Sequence, residues 1–408
     1  MGKSRETRRP PGRAGKRAPR AAAAAAVPES LDVLILGAHP CADLAAAVLA
    51  HDRPDVRSLC VATPDDAPND RILPFNPRLF DLHPIVSRQN VPAGESTAAG
   101  LLFLSEQPGV RGQYVAARQP AILLTSMLQA SCAMRKLADA HGVRRIDARH
   151  FVIDRVVDDG VRVRINDHPT TARALLIAAG GLPLDQRRML GIGDGWESGV
   201  MHRCGYLRVS ADLASHVAPD QRLVPMSLDL GGSGAWAWML TGQDNQAQLI
   251  LQQPMRSTRS FAPERLMRLW IDQLAMHGML RSAEAVIAGI GQTQWLDLPV
   301  TGALSGETVA NRTLLIGPAG GFYSACGEEL YPSCWSAVAA AQVLGKALSA
   351  PHVQDALQSY RQQWGNTLGD YLRGPQQNLT LLLPLVYRNA VMAGRVGDAI
   401  LFGESVVR

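Results

Sequence analysis

No uncharged apolar run in the sequence reaches the roughly 18–20 residues that cross a bilayer. The longest candidates, residues 314–327 and 330–345, are interrupted by Gly, Pro, Ser or Gln, and an integral membrane protein is excluded on that ground. Cysteine is scarce, with six in 408 residues, and Cys41, Cys60, Cys132, Cys204, Cys326 and Cys334 form no CxxC pair. No histidine stands beside them at zinc-ligand spacing, so neither a metal centre nor a disulfide framework is expected, and a reducing, cytoplasmic compartment fits. Cys60 and Cys132 lie in apolar segments and read as small core residues. Cys326 and Cys334 read as two ordinary thiols. Internal repeats are absent too. With 47% apolar and 19% charged residues, the composition excludes a collagen-like or wholly disordered chain, and the length suggests two or three domains.

The positive charge is unevenly spread. Residues 1–26 carry Lys3, Arg5, Arg8, Arg9, Arg13, Lys16, Arg17 and Arg20 against the single acid Glu6. Removing this +7 from the formal +5 of the whole chain leaves about −2 on the remainder. The basic stripe of a nucleic-acid-binding globule is therefore missing, and no specific nucleic-acid partner is expected. Residues 1–30 read as a disordered basic tail that touches acidic surfaces weakly. Arg8-Arg9 is followed by Pro10 and Pro11 where an export signal would turn apolar, and Glu6 stands where myristoylation needs Ser or Thr.

Past the tail, residues 31–36 are continuously apolar, as a strand buried on both faces should be. A tight turn at 37–43 and an Ala/Leu-rich helix over 44–50 follow, opening a βαβ unit with its second strand at 56–62. Residues 64–120 are rich in Pro, Asn, Asp and Gly and read as loops with short strands such as 101–104. Thr125 or Ser126 can cap a helix ending near Ala140. Residues 151–157 and 161–165 flank Asp158-Asp159-Gly160, a hairpin signal, and 175–178 is a further buried strand. Residues 205–300 alternate strands (223–228, 235–240, 248–252) with a helix over 263–277. Residues 313–316 form another buried strand, a small-residue helix covers 336–348, and 353–408 is helical.

Three glycine-bearing turns, at 37–42, 178–181 and 317–321, each follow such a strand. In this the sequence resembles the flavoproteins that include FAD-dependent aromatic hydroxylases and geranylgeranyl reductases, over roughly residues 31–405. The family's GxGxxG falls on Gly37, His39 and Ala42. Its second Gly lets the backbone approach the pyrophosphate and its third lets helix and strand pack closely; here His39 holds the second place. The ribose-binding acid at the end of the second strand has no counterpart between Cys60 and Thr63. A "GADGxxSxVRxxLGI" segment resembles residues 178–192, with Gly180 where the family has Asp and Gly181 beside it; Arg187 and Arg188 there read as surface residues capping a helix. "GDAAGF" resembles Gly317-Pro318-Ala319-Gly320-Gly321-Phe322, with Pro318 in place of Asp. "TGEGI" resembles 325–330, which contains Cys326, Glu328 and Glu329. The strand holding Trp236 and Trp238 resembles the family's flavin-bordering "GYAWVFP" and WxWxIP strands, and their alternation puts both on one face.

The resemblance implies an α/β fold: a Rossmann-like FAD-binding domain with an inserted β-rich substrate domain and a helical C-terminus. The expected division is FAD-binding segments at 31–90, 121–192 and 306–350, substrate-domain segments at 91–120 and 193–305, and a helical region at 351–408. It implies FAD held by residues 37, 39, 42, 180, 181 and 317–321, with NAD(P)H as a possible electron donor. Trp236 and Trp238 would line the substrate pocket, and Cys326 and Glu328 are the catalytic candidates. The reaction would be hydroxylation of a small organic molecule or reduction of an isoprenoid-type double bond, the flavin supplying the redox chemistry. Because each gripping position is altered, a non-catalytic descendant that binds a lipid, metabolite or partner stands as the alternative. A nicotinamide-only dehydrogenase would leave two glycine turns without a role. Residues 379–386 are a candidate for peripheral lipid contact or for a core or dimer helix, and the oligomeric state stays open.

Overall fold

The computed structural model describes residues 27–63, 70–90, 96–178, 182–192, 201–210, 223–242, 246–255, 261–299, 307–324, 327–372 and 379–406. The basic tail through residue 26, and with it Gly180, Gly181 and Cys326, lies outside the described residues.

The first half of the chain forms β1 (Ser30–Leu36), α1 (Pro40–Asp52), β2 (Ser58–Ala62), β3 (Ile72–Phe75), β4 (Ser96–Ala98), β5 (Gly100–Leu104), β6 (Arg111–Val115), β7 (Ile122–Ser126), α2 (Met127–Ala140), β8 (Arg144–Asp147), β9 (Phe151–Val157), β10 (Gly160–Ile165), β11 (His168–Ile177) and α3 (Leu184–Leu190). The second half adds β12 (Met201–Ser210), β13 (Leu223–Leu230), β14 (Ala235–Thr241), β15 (Gln246–Pro254), α4 (Pro263–Met276), α5 (Ala283–Ile287), β16 (Gln294–Pro299), β17 (Val309–Ala310), β18 (Thr313–Leu315), α6 (Leu330–Ala347), α7 (Val353–Leu357), α8 (Ser359–Leu372), α9 (Leu379–Val386) and α10 (Ala390–Phe402).

These residues build three sheets. The first runs β17-β18-β11-β1-β2-β8, with the β9–β10 hairpin attached to β11. β1 lies between β11 and β2, parallel to both, and Val33 to Leu36 have no exposed surface, which explains their unbroken apolar run. One face of this sheet packs on α1, α2 and α6 and the other on the hairpin and α3. The second sheet runs β16-β12-β15-β14-β13-β5-β6, so β5 and β6 join the strands that follow residue 200. Its inner face meets the three-stranded β3-β7-β4 sheet, α9 and α10, while α4 covers the other through the buried Trp270.

Local signals set the boundaries. Ser126 and Gln129 form a capping box at α2, whose buried face is Met127, Ala130, Ala133, Met134, Leu137 and Ala138. That phase turns Cys132 outward with Arg135 and Lys136, so Cys132 is exposed rather than core. Cys60 is buried as expected. Arg187, expected at the surface, is buried on α3, and burial pulls its guanidinium pKa down. α6 begins six residues earlier than the small-residue pattern suggests. Pro332 falls in its first turn, where a missing N–H costs no helical bond.

Candidate functional site

The site grows from the end of β1. Gly37 turns the chain at φ +125°, and His39 becomes the N-cap of α1 with Pro40 behind it. The His39 Nδ1 accepts the Cys41 backbone N–H at 3.2 Å, so the ring proton sits on Nε2. Nε2 in turn donates to Glu329 Oε1 at 3.1 Å, across 290 residues of chain. Glu329 is the N-cap residue of α6 and is 1% exposed. Its Oε1 also accepts the Tyr323 hydroxyl at 3.2 Å, and its Oε2 pairs with the buried Arg71 guanidinium just before β3. Arg71 stacks over Tyr206, 5.4 Å from the ring centroid.

Burial alone would raise the Glu329 pKa; Arg71 and His39 outweigh it and hold the carboxyl at about 2. Glu328, one residue earlier, goes the other way. It is also interior, with no cation paired to it among the described residues, and burial pushes it up to about 7 against hydrogen bonds from Tyr371, the Asn76 N–H (2.9 Å) and the Tyr331 N–H (3.1 Å). Glu328 borders a cavity of about 30 Å³ with Trp238, Asn76, Tyr371 and apolar side chains from β5, β7, β13 and α10. That volume has room for a water or two, against the roughly 300–1,000 Å³ of a ligand pocket. Trp236 packs against the second core and is not among the cavity's lining residues.

Because the folded pKa of Glu328 is raised, its stabilising contribution is complete below the ordinary value near 4.5 and is lost as pH rises through about 7. Glu328→Gln is therefore expected to remove a stability loss on the order of 3 kcal/mol between pH 5 and 9. Urea unfolding of both proteins across that range measures it; parallel curves would contradict the assignment.

The other residues singled out in the sequence are placed as follows. Ala42 is buried at the close contact of α1 with the sheet. Gly317 has φ +54°, and its N–H donates to Ser336 Oγ at 2.9 Å. A Cβ there would meet the Cys41 Sγ at 2.5 Å. Pro318, Ala319 and Gly320 form a tight turn closed by Gly321 at φ +80°. Where a ribose-binding acid is absent at the end of β2, the nearby Asp43 of α1 is buried and paired with Arg145 of β8. No local sequence pattern marks Asp43, Arg71 or Tyr323 as part of this cluster. The one available signal was Glu329 itself, standing where "TGEGI" has its second glycine. Among the described residues no group of three His, Cys, Asp or Glu could hold a metal ion, and no helix is long and apolar enough to cross a membrane.

The first turn departs from the dinucleotide cradle at its second position, where His39 stands. A dinucleotide needs its pyrophosphate close to the N-terminus of the helix after β1, on a backbone bared by glycine. Here His39 caps that N-terminus and bonds to Glu329 at the start of α6, so a side chain stands where the pattern has a bare glycine.

No family model matches the chain, and no curated protein matches its sequence. Solved structures do. A geranylgeranyl bacteriochlorophyll reductase-like protein from Thermoplasma acidophilum superposes with a TM-score of 0.64 at 14% identity, over 93% of each chain. PqsL from Pseudomonas aeruginosa, a probable FAD-dependent monooxygenase, gives 0.61 at 17% identity, over 84% of this chain and 97% of its own. A flavin-dependent brominase gives 0.63 at 14% identity, over 92% and 93%. The chain thus shares its α/β fold with a reductase-like protein, a probable FAD-dependent monooxygenase and a flavin-dependent brominase.

Proposed function

We propose that this chain is a non-catalytic descendant of the flavoprotein fold that acts as a binding protein for a lipid, metabolite or protein partner. The observation that carries the reading is the His39–Glu329–Arg71 bridge, which ties the first glycine turn to the start of α6 and to the residue before β3. Losing one charged ligand contact costs about 1.5–3 kcal/mol, and here the second glycine, the ribose acid and the aspartate replaced by Pro318 are gone together. Glu328 and Trp238 both border the cavity of about 30 Å³.

A second reading is favoured by the fold comparison, whose neighbours are flavin-dependent reductases, monooxygenases and halogenases. One of them, PqsL, was solved in complex with 2-aminobenzoylacetate. Under this reading the chain is a flavin-dependent oxidoreductase that hydroxylates a small organic molecule or reduces an isoprenoid-type double bond, and His39 and Glu329 must part to admit the cofactor. Flavin content separates the two. The full chain is expected to purify colourless, to release no FAD on heating and to oxidise no NAD(P)H. A yellow preparation with stoichiometric FAD would establish the second reading instead.

A further inference from the structure

We propose that the outer face of α9 and the start of α10 form a docking surface for an anionic lipid bilayer. In α9, Leu379, Leu383 and Val386 turn inward and are buried in the second core. Helical spacing then places Leu381, Pro384, Leu385 and Arg388 on the opposite side, at i, i+3, i+4 and i+7, and all four are exposed. Leu381 is 74% exposed and Val391, just across the turn in α10, is 64% exposed. These are the two most exposed large apolar side chains among the described residues, and Leu385 lies between them in sequence. No core duty accounts for a leucine, a proline, a leucine and a valine facing water together.

Charge selects the occupant. From residue 379 to 397 the charged side chains are Arg388 and Arg395, with no acid, and both arginines are exposed. The first acid beyond them, Asp398, accepts the Tyr114 hydroxyl. Arg111 adds an exposed cation on β6, the strand that α10 packs against. Aliphatic side chains that enter the headgroup boundary beside cations that meet anionic headgroups make up the two-part signal of a peripheral membrane contact. A second copy of this chain fits the patch poorly, because a two-fold contact brings two faces of like charge together, with no acid between residues 379 and 397 to offset Arg388 and Arg395. The surface lies outside the interior, so it stands whether or not a flavin is held.

The test is co-sedimentation of the full-length protein with phosphatidylcholine vesicles, with and without phosphatidylglycerol. Wild type is expected to partition onto the anionic vesicles, less so as salt rises, and to leave neutral vesicles nearly bare. Arg388→Glu/Arg395→Glu should lower partitioning roughly 30-fold or more, the equivalent of about 1 kcal/mol for each arginine removed. Leu381→Asp/Leu385→Asp changes only exposed positions, so it should stay folded by circular dichroism and lose binding to a similar extent. That variant keeps the basic N-terminal tail. If it binds as well as wild type, the tail alone makes the contact and the proposal fails. Absence of vesicle binding by wild type overturns it as well, including the case where a dimer seen by size exclusion is broken by the leucine variant.

Discussion

Glu329→Ala is expected to lower the unfolding free energy by about 3–5 kcal/mol, because it strips a buried guanidinium of its counter-ion. Glu329 is 1% and Arg71 7% exposed, and the same carboxylate accepts from His39 and Tyr323. Removing it leaves Arg71 charged, with no carboxylate to meet it, and leaves two further donors without an acceptor. Taking out both charges is a different matter. An Arg71→Met/Glu329→Leu double variant trades the pair for apolar volume and should cost clearly less than the single change. Urea midpoints of Arg71→Met, Glu329→Leu and the double close a thermodynamic cycle; additive losses would show that the pair is not coupled. The acid limb gives an independent reading. The Glu329 pKa is depressed to about 2, so its contribution is present above the ordinary value near 4.5 and drains away as pH falls towards 2. Glu329→Gln should flatten stability over that interval.

Gly317→Val should be nearly as damaging, roughly 2–5 kcal/mol, because backbone strain and overpacking meet at this one position. At φ +54° a side-chain-bearing residue pays about 1–2 kcal/mol, and a branched one more. Its Cβ would also stand 2.5 Å from the Cys41 Sγ, a thiol buried against His39 that cannot swing out to solvent; overpacking of that kind costs about 1–3 kcal/mol. The two contributions can be separated. Gly317→Ala in a Cys41→Gly background removes the clash but keeps the backbone strain, so it should recover part of the loss and no more. If Gly317→Val unfolds at the wild-type urea concentration, the contact between the first and third glycine turns is misplaced.

The fold was legible in the sequence because burial on both faces writes itself as uninterrupted apolar residues. β1 and β18, and the buried end of β11, appear as such runs, and Asp158-Asp159-Gly160 marks the turn between β9 and β10. The paired tryptophans also sit on a strand as their spacing suggests, although only Trp238 reaches the cavity. The site was less legible. Glu329 meets His39 across 290 residues and Arg71 across 258, and no local pattern announces a pairing of that span. Arg71 sits at the end of a Pro- and Asp-rich stretch whose composition reads as loop. The opposite titration of Glu328 and Glu329 is invisible to sequence for the same reason: two adjacent glutamates differ only in which groups the fold brings to them. His39 was legible as a departure, and the structure supplies its partner.

If the His39–Glu329–Arg71 bridge excludes a dinucleotide, as proposed, this chain holds no flavin. The most direct measurement is an equilibrium titration of FAD into the purified full-length protein, followed by flavin fluorescence and gel filtration. A site closed by that bridge predicts no saturable change in fluorescence and no flavin co-eluting with the protein. Saturation at one FAD per chain, with yellow protein recovered from the column, would contradict it and return the chain to the working flavoenzymes.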